Sequence, residues 1–277
     1  MTAMAKRRMA VGLILAATLA LVSCSGNNAP QPGTPAFYFG AAKETYNAGD
    51  YQKTIEHLGN VLSSENEYTA RALPWMLVMS SGMAQGNMDL ADALDRGSKA
   101  NRGQSNEFRR QATAARGAAN SLSLQFADTF AKLQGKDDVT LAFPYPTGSP
   151  TEVLLLTKIG NGVMPPAAEL ETAQKRAIER AVLLGVCRAA GAQDDPGKAQ
   201  DLLKTGDAKV PRATFVYAMA KALFDESQLY TRDKLDQPDK MKIFCTRAQD
   251  ALKQVPASKD SADLDKKIQA ALKKAKA

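Results

Sequence analysis

Histidine is nearly absent from this chain of 277 residues, in which His57 is the only one. A Ser-His-Asp or Cys-His mechanism would depend on that residue, and neither Cys187 nor Cys245 is near it in the sequence. Ligands at the spacing of a zinc site are also missing. We therefore expect that the protein is not an enzyme and holds no cofactor or metal, with His57 as an ordinary surface or groove residue.

An apolar run long enough to cross a membrane is also lacking. The run Met9–Val22 has about 14 residues, whereas a spanning helix needs roughly 20. It follows three basic residues, Lys6, Arg7 and Arg8, as in a secretory signal peptide. Residues 1–23 are therefore interpreted as a signal peptide, which is not expected to form part of the fold.

A large excess of charge of one sign is lacking as well. The formal net charge is +7, and without residues 1–23, which hold three basic and no acidic residues, it is +4. A nucleic-acid-binding domain usually has a stronger basic excess that is clustered on one face. Nucleic acid is therefore not an expected partner.

Aromatic residues make up only 6% of the chain and β-branched runs are rare, whereas alanine is abundant. Alanine is the strongest helix former, and its small side chain lets helices pack closely. Apolar residues recur at three- and four-residue spacing along much of the chain, which is the period of an amphipathic helix. These features predict an all-α fold.

The four residues Leu21-Val22-Ser23-Cys24 end the apolar run and resemble the lipobox of bacterial lipoproteins. In that family a peptidase cuts before the cysteine, which then carries a diacylglyceryl group and usually an amide-linked chain. The resemblance implies lipid attachment at Cys24 and a stable anchor in one leaflet, because two or more acyl chains hold firmly. Ser25 resembles the outer-membrane-directed class, which implies the periplasmic face of the outer membrane.

Composition divides the rest of the chain. Residues 24–36 are rich in Gly, Pro and Asn, so the lipidated cysteine is expected to lead into a flexible tether. Residues 37–134 and 167–277 predict two helical halves. They are joined by a junction rich in Pro and Gly, residues 135–166, in which Val153–Ile159 is either a strand or a buried helix.

The first helical half resembles tetratricopeptide repeats (TPR), which are helix–turn–helix units of about 34 residues. The matching positions of a first unit are Tyr38, Ala42, Gly49-Asp50-Tyr51 at the turn, Thr54 and Leu58. The matching positions of a second unit are Trp75, Gly86-Asn87-Met88 at the turn, and Ala91. Thr45 and Asn66 depart from the pattern. The resemblance implies a TPR-like, α-solenoid-like array of stacked helix pairs.

Two cysteines remain besides Cys24. An exported protein reaches an oxidising compartment, so Cys187 and Cys245 are predicted to form a disulfide. The alternative is a pair of buried free thiols that act as small apolar residues. Cys245 lies on the apolar face of an amphipathic helix expected over residues 239–255, which fits either pairing or burial.

Several polar and aromatic residues are weaker candidates for a site. The triplets Asp89, Asp92, Asp95 and Asp233, Asp236, Asp239 do not fit a calcium loop and are interpreted as capping or solvated residues. The lysines of the last helix are interpreted as a solvated face, with anionic lipid as the alternative: Lys266, Lys267, Lys273, Lys274 and Lys276. Trp75 and Tyr145 are candidate partner contacts. Core packing explains Trp75 more simply, whereas Tyr145 lies in a Pro-rich loop and is expected to be exposed.

The expected function is that of a membrane-anchored helical-repeat lipoprotein, acting as an adaptor or assembly factor. Its partner would be a cell-envelope protein complex or a peptide segment held on the concave surface of the array. The alternative is a periplasmic lipoprotein that binds a small molecule or lipid in a pocket between the halves, near residues 135–166. A polar and aromatic groove would favour the adaptor, and an enclosed apolar cavity would favour the carrier.

Overall fold

The computed structural model describes residues 30–146 and 153–275. Its helices are α1 Pro35–Asn47, α2 Tyr51–Val61, α3 Thr69–Ala100, α4 Ser105–Phe130, α5 Leu154–Gly160, α6 Ala167–Ala189, α7 Pro196–Leu202, α8 Arg212–Ser227, α9 Pro238–Leu252 and α10 Lys259–Lys274. Two short 3₁₀ helices are Arg102–Gln104 and Gln228–Tyr230. Strands β1 Val139–Leu141 and β2 Ala208–Val210 form an antiparallel pair. The prediction of an all-α class is confirmed, with this small sheet as an addition.

The predicted signal peptide and Cys24 lie outside the described residues. The predicted tether, residues 24–36, is described only from Pro30 onward, and α1 already begins at Pro35. None of the helices in the described ranges is both long enough and apolar enough to cross a bilayer.

The first helix pair forms where the sequence predicts it. Gly49 has a φ of +72°, the left-handed conformation that ends α1. The side chain of Asp50 accepts a hydrogen bond from the backbone N–H of Lys53 and so caps α2. The hydroxyl of Thr54 donates to the hydroxyl of Thr45 at 3.1 Å, which joins the two helices where the TPR pattern would have an aromatic residue.

The long helix α3 lies at the centre of the fold and packs against α2, α4, α5, α6, α8 and β1. Most of its residues are buried, as expected of a helix surrounded by others. The predicted turn at Gly86-Asn87-Met88 is wrong, since these residues continue α3. Gly86 instead allows α6 to pass close by, because an added Cβ would lie 2.5 Å from the Cα of Ile178.

The junction between the predicted halves contributes to the core. Phe143 stacks on Trp75 with ring centroids 4.6 Å apart, and the Trp75 ring lies 4.7 Å from that of Tyr46. The ambiguous segment Val153–Ile159 becomes α5. One continuous apolar cluster therefore includes residues of both helical halves and of the segment between them.

The predicted disulfide between Cys187 and Cys245 is wrong: both are buried free thiols. They occupy different places in the core. The thiol of Cys187, on α6, donates to the hydroxyl of Tyr145 at 3.5 Å, and Cys245, on α9, lies beside Ser227. Burial raises the pKa of both thiols, which keeps them protonated and unreactive.

Candidate functional site

An open groove follows the seam where α3, α6 and α8 meet. It consists of two clefts that share the side chains of Arg188 and Lys221. The close approach of α6 to α3 fixes the seam, since glycine faces α6 at Gly82 as well as at Gly86. We call the whole depression the charged groove.

The first of the two clefts is lined mainly by charged and polar residues, together with a few apolar side chains, and has a volume of about 390 Å³. Three α-helices, the 3₁₀ helix Gln228–Tyr230 and one loop supply its walls, so residues distant in the sequence meet there. Its characteristic residues are Asp89 and Asp92 of α3, Arg180 of α6, Asp225 of α8, and Lys234 of the loop before α9.

The second cleft has a volume of about 490 Å³ and an apolar wall. Tyr217 of α8 lies there with Val255 and Pro256, which precede α10. Asp194 and Asp260 place carboxylates at its edges. Burial raises the pKa of Tyr217, with a further contribution from Asp260, so the phenol keeps its proton and can donate a hydrogen bond.

Ion pairs hold three cations of the charged groove in place. Arg188 binds Asp194 through two contacts, Nε to Oδ1 at 2.7 Å and Nη2 to Oδ2 at 3.3 Å. Lys221 binds Asp225 at 2.6 Å. Such partly exposed pairs contribute at most about 1 kcal/mol each to stability. Their main effect here is to fix the positions of charges along the groove.

The third pair, between Lys234 and Asp92, is the least exposed on its basic side. Lys234 Nζ lies 2.9 Å from one carboxylate oxygen and 3.0 Å from the other. The pairing with Arg188 also lowers the pKa of Asp194, because the guanidinium donates a hydrogen bond to the carboxylate. Asp194 therefore remains ionised and bound to its own cation at neutral pH.

Asp89 and Arg180 differ from these pairs, because neither takes part in an ion pair within the part of the chain that the structure describes. Asp89 is half-buried and accepts a hydrogen bond from Gln85 Nε2 at 2.8 Å. Burial raises the pKa of Asp89, although the bond from Gln85 and the charge of Arg180 act in the opposite direction. Arg180 is exposed on the facing wall.

A buried acid lies beneath the groove. Glu226 of α8 is almost fully buried, and its carboxyl oxygens have no hydrogen-bond partner among the described residues. Burial raises the pKa of Glu226 well above its usual value, and the nearby Ser123 hydroxyl opposes this shift. Glu226 also borders a cavity of about 40 Å³, which has room for a water molecule.

The triplet Asp89, Asp92 and Asp95 has a different role from the expected capping or solvation. Asp92 joins α3 to Lys234, and Asp95 joins α3 to Arg116 of α4. These partners are distant in the sequence, so spacing within α3 gave no signal for them. The charged groove as a whole was missed for the same reason.

The two predicted partner contacts do not reach the surface. Trp75 is fully buried in the aromatic cluster, as core packing requires. The expectation that Tyr145 is exposed is wrong: its ring is buried, and its hydroxyl accepts the bond from Cys187. The proline-rich segment runs inward because its aromatic residues complete the core.

The remaining candidates are dispersed. His57 is half-buried beside Tyr38, with ring centroids 6.1 Å apart. Within residues 30–146 and 153–275, no three His, Cys, Asp or Glu side chains are grouped as a metal site would need. The lysines of α10 are exposed, apart from Lys276, which lies outside the described residues.

Comparisons with protein-family models, with curated proteins and with solved structures find no match to this chain.

Proposed function

We propose that this protein is a lipid-anchored, TPR-like lipoprotein of the cell envelope that serves as a protein-binding adaptor or assembly factor. The charged groove is the observation that carries the proposal. It is open, it spans two connected clefts, and it combines fixed charges of both signs with an apolar wall that includes Tyr217. The lipobox resemblance at Cys24 supplies the anchor, and the outer membrane facing the periplasm is the proposed location.

The chemistry of the groove favours a peptide segment of a partner protein. Asp89 offers an acceptor to a basic side chain, and Arg180 offers a donor to an acidic one. Tyr217 and Pro256 offer an apolar surface to an aliphatic or aromatic side chain. Protein interfaces combine these three kinds of contact, and Tyr and Arg are enriched in them.

The TPR-like part of the proposal rests on α1 and α2. Their turn at Gly49-Asp50 and their small contact residue Thr54 agree with the pattern, and α3 follows them as a third packed helix. The groove lies on the other side of α3, along α6 and α8. We propose that the helix pair supports α3, and that α3 in turn forms the floor of the binding groove.

A lipid or small-molecule carrier is the second candidate. It would need an enclosed apolar cavity. Residues 135–146 and 153–166 do not line either cleft of the charged groove. Both clefts of the charged groove are open and contain charged side chains, which favours the adaptor over the carrier.

Crosslinking in cells tests whether the partner depends on both the anchor and the groove. The tagged full chain is crosslinked and the captured proteins are identified by mass spectrometry. The wild type is expected to capture one envelope protein reproducibly. The yield of that protein should fall at least about tenfold in the double variant Asp89→Lys, Arg180→Glu, since reversed charges repel the partner. Cys24→Ala should also lose it.

The matched control is the double variant Asp201→Lys, Lys242→Glu. Both residues are exposed, lie outside the groove and take part in no ion pair among the described residues. This variant should retain the capture. A wild type that is membrane-bound but captures no protein would contradict the adaptor proposal. Lipid extracted together with the purified protein would then favour the carrier.

A further inference from the structure

One end of the molecule is built from the last turns of α3, the 3₁₀ helix Arg102–Gln104, and α5 with the loop that follows it. The side chain of Asn101 donates to the carbonyl of Gly162 at 2.9 Å. Gly97 lies directly against the backbone of Ile159, where an added Cβ would have no room. These contacts bring residues 96–102 and 154–163 onto one surface.

Four exposed cations lie on this surface: Arg96, Lys99, Arg102 and Lys158. The segments 96–106 and 153–168 contain no acidic residue. Among the described residues, none of the four cations is within ion-pair distance of a carboxylate. Glu152, which precedes the second segment, lies outside those residues.

Of the described acidic residues that flank these two segments in the sequence, Asp95 and Glu107 already have partners, whereas Glu169 is exposed and takes part in no ion pair. Asp95 binds Arg116, and Glu107 accepts bonds from Arg110 and Gln111, both at 2.8 Å. The charge of the four cations is therefore not compensated by these neighbours. A surface of this kind attracts anions over about 10 Å at moderate salt.

The same surface also exposes large aliphatic side chains. Leu154 is 64% exposed and Val163 is 56% exposed, more than any other large hydrophobic residue that the structure describes. Leu154 and Lys158 are four residues apart on α5 and so share a helix face. We call the surface formed by these two aliphatic residues and the four cations the basic aliphatic face.

We propose that the basic aliphatic face docks on an anionic lipid bilayer. Each cation near an anionic surface increases binding about fivefold, and exposed aliphatic side chains enter the interface between headgroups and acyl chains. A protein partner is less favoured, because the four cations have no fixed acceptors beside them to orient specific pairs, in contrast to the charged groove.

The lysine-rich helix α10 lacks this combination. Its first two turns contain Asp260, Asp263 and Asp265, and Lys266 lies 3.7 Å from Asp263. Its apolar residues Leu264 and Ile268 are buried against the body. The proposal therefore concerns the end of α3 and not the C-terminus. It does not depend on the adaptor function, since docking needs no protein partner.

The test uses the full-length protein, purified from membranes and reconstituted on vesicles, with a polarity-sensitive dye attached through Val163→Cys. The native Cys187 and Cys245 are buried, which protects them from the label. On vesicles that contain phosphatidylglycerol the dye should report an apolar environment. On vesicles of phosphatidylcholine alone it should report water.

Two matched variants locate the effect. Glutamine at Arg96, Lys99, Arg102 and Lys158 should lower the docking equilibrium by on the order of a hundredfold or more. Glutamine at Lys266, Lys267, Lys273 and Lys274 removes the same charge and should change docking only a few-fold. A dye attached through Ile243→Cys, on α9, should remain in water on both kinds of vesicle.

Three results would overturn the proposal: equal dye signals on the two kinds of vesicle, loss of the signal in the α10 variant alone, or an apolar signal at residue 243 as well. High salt supplies a check on the wild type that needs no folded variant. It should return the dye at residue 163 to water, and a signal that resists salt would also contradict docking on anionic lipid. Repeating the measurement with Cys24→Ala separates docking from anchoring.

Discussion

The two halves of α3 differ in what surrounds them. In residues 69–84 the stretch from Pro74 to Ala84 is buried without a break, Trp75 included. Residues 85–100 are buried on one side and carry Asp89, Asp92 and Arg96 on the other. One helix therefore holds the fold together at its start and supplies both the charged groove and the basic aliphatic face towards its end.

Substitutions in the first half should have the largest effect on stability. Trp75→Ala removes a ring that contacts Tyr46 and Phe143 and should lower the free energy of unfolding by about 3–5 kcal/mol. Denaturant unfolding measures the loss. Trp75→Phe is the control: it keeps a ring on Phe143 and removes an indole N–H without a partner among the described residues, so its loss should be much smaller.

The boundary between the two halves is tested by glycine substitutions. Gly86→Ala places a Cβ against the backbone of α6, and overpacking of this kind should destabilise by about 2 kcal/mol. Gly117→Ala, on α4, meets open space and should stabilise by about 0.5–1 kcal/mol, since alanine favours the helix. Equal effects in the two variants would contradict the close packing of α3 and α6.

The buried acid beneath the groove gives a pH dependence. The folded state raises the pKa of Glu226 above its unfolded value of about 4.3, so the folded protein loses stability as the pH rises above that value. Glu226→Gln removes the ionisation. Its free energy of unfolding should exceed that of the wild type at neutral pH and approach it below pH ~4. If the difference in the free energy of unfolding between Glu226→Gln and the wild type did not change with pH, Glu226 would be solvated and not buried.

The ion pairs of the second half should matter least for stability. A double-mutant cycle with Asp92→Asn and Lys234→Met should give a coupling energy of about 0.5–1 kcal/mol, because the pair is only partly buried. A much larger coupling would break the comparison, since the charged half would then stabilise the fold as strongly as the apolar half does.

Elements with local signals could be predicted from the sequence. The turn between α1 and α2 depends on Gly49 and Asp50, which act through their own backbone and side chain. The helix that carries Cys245 was predicted at residues 239–255 and is α9, Pro238–Leu252, because its apolar residues recur with the helical period.

Elements that depend on distant partners could not be predicted. Gly86 is a residue type that is common in turns, but here it lies within a helix and allows the backbone at Ile178 of another helix to pass close by. Tyr145 lies between Pro144 and Pro146 in the chain, yet its ring is buried because it completes the core. The oxidising compartment expected of an exported protein suggests a disulfide between Cys187 and Cys245. Only the fold decides whether two cysteines lie close enough to form one.

Site-specific photocrosslinking tests the central claim, that the charged groove binds a protein partner, most directly. A photoreactive amino acid is placed at Arg180 in the groove or at Lys242 on α9, both exposed and both on helices. The account predicts a crosslink to one envelope protein from position 180 and none from position 242. A partner captured from position 242 but not from position 180 would contradict it.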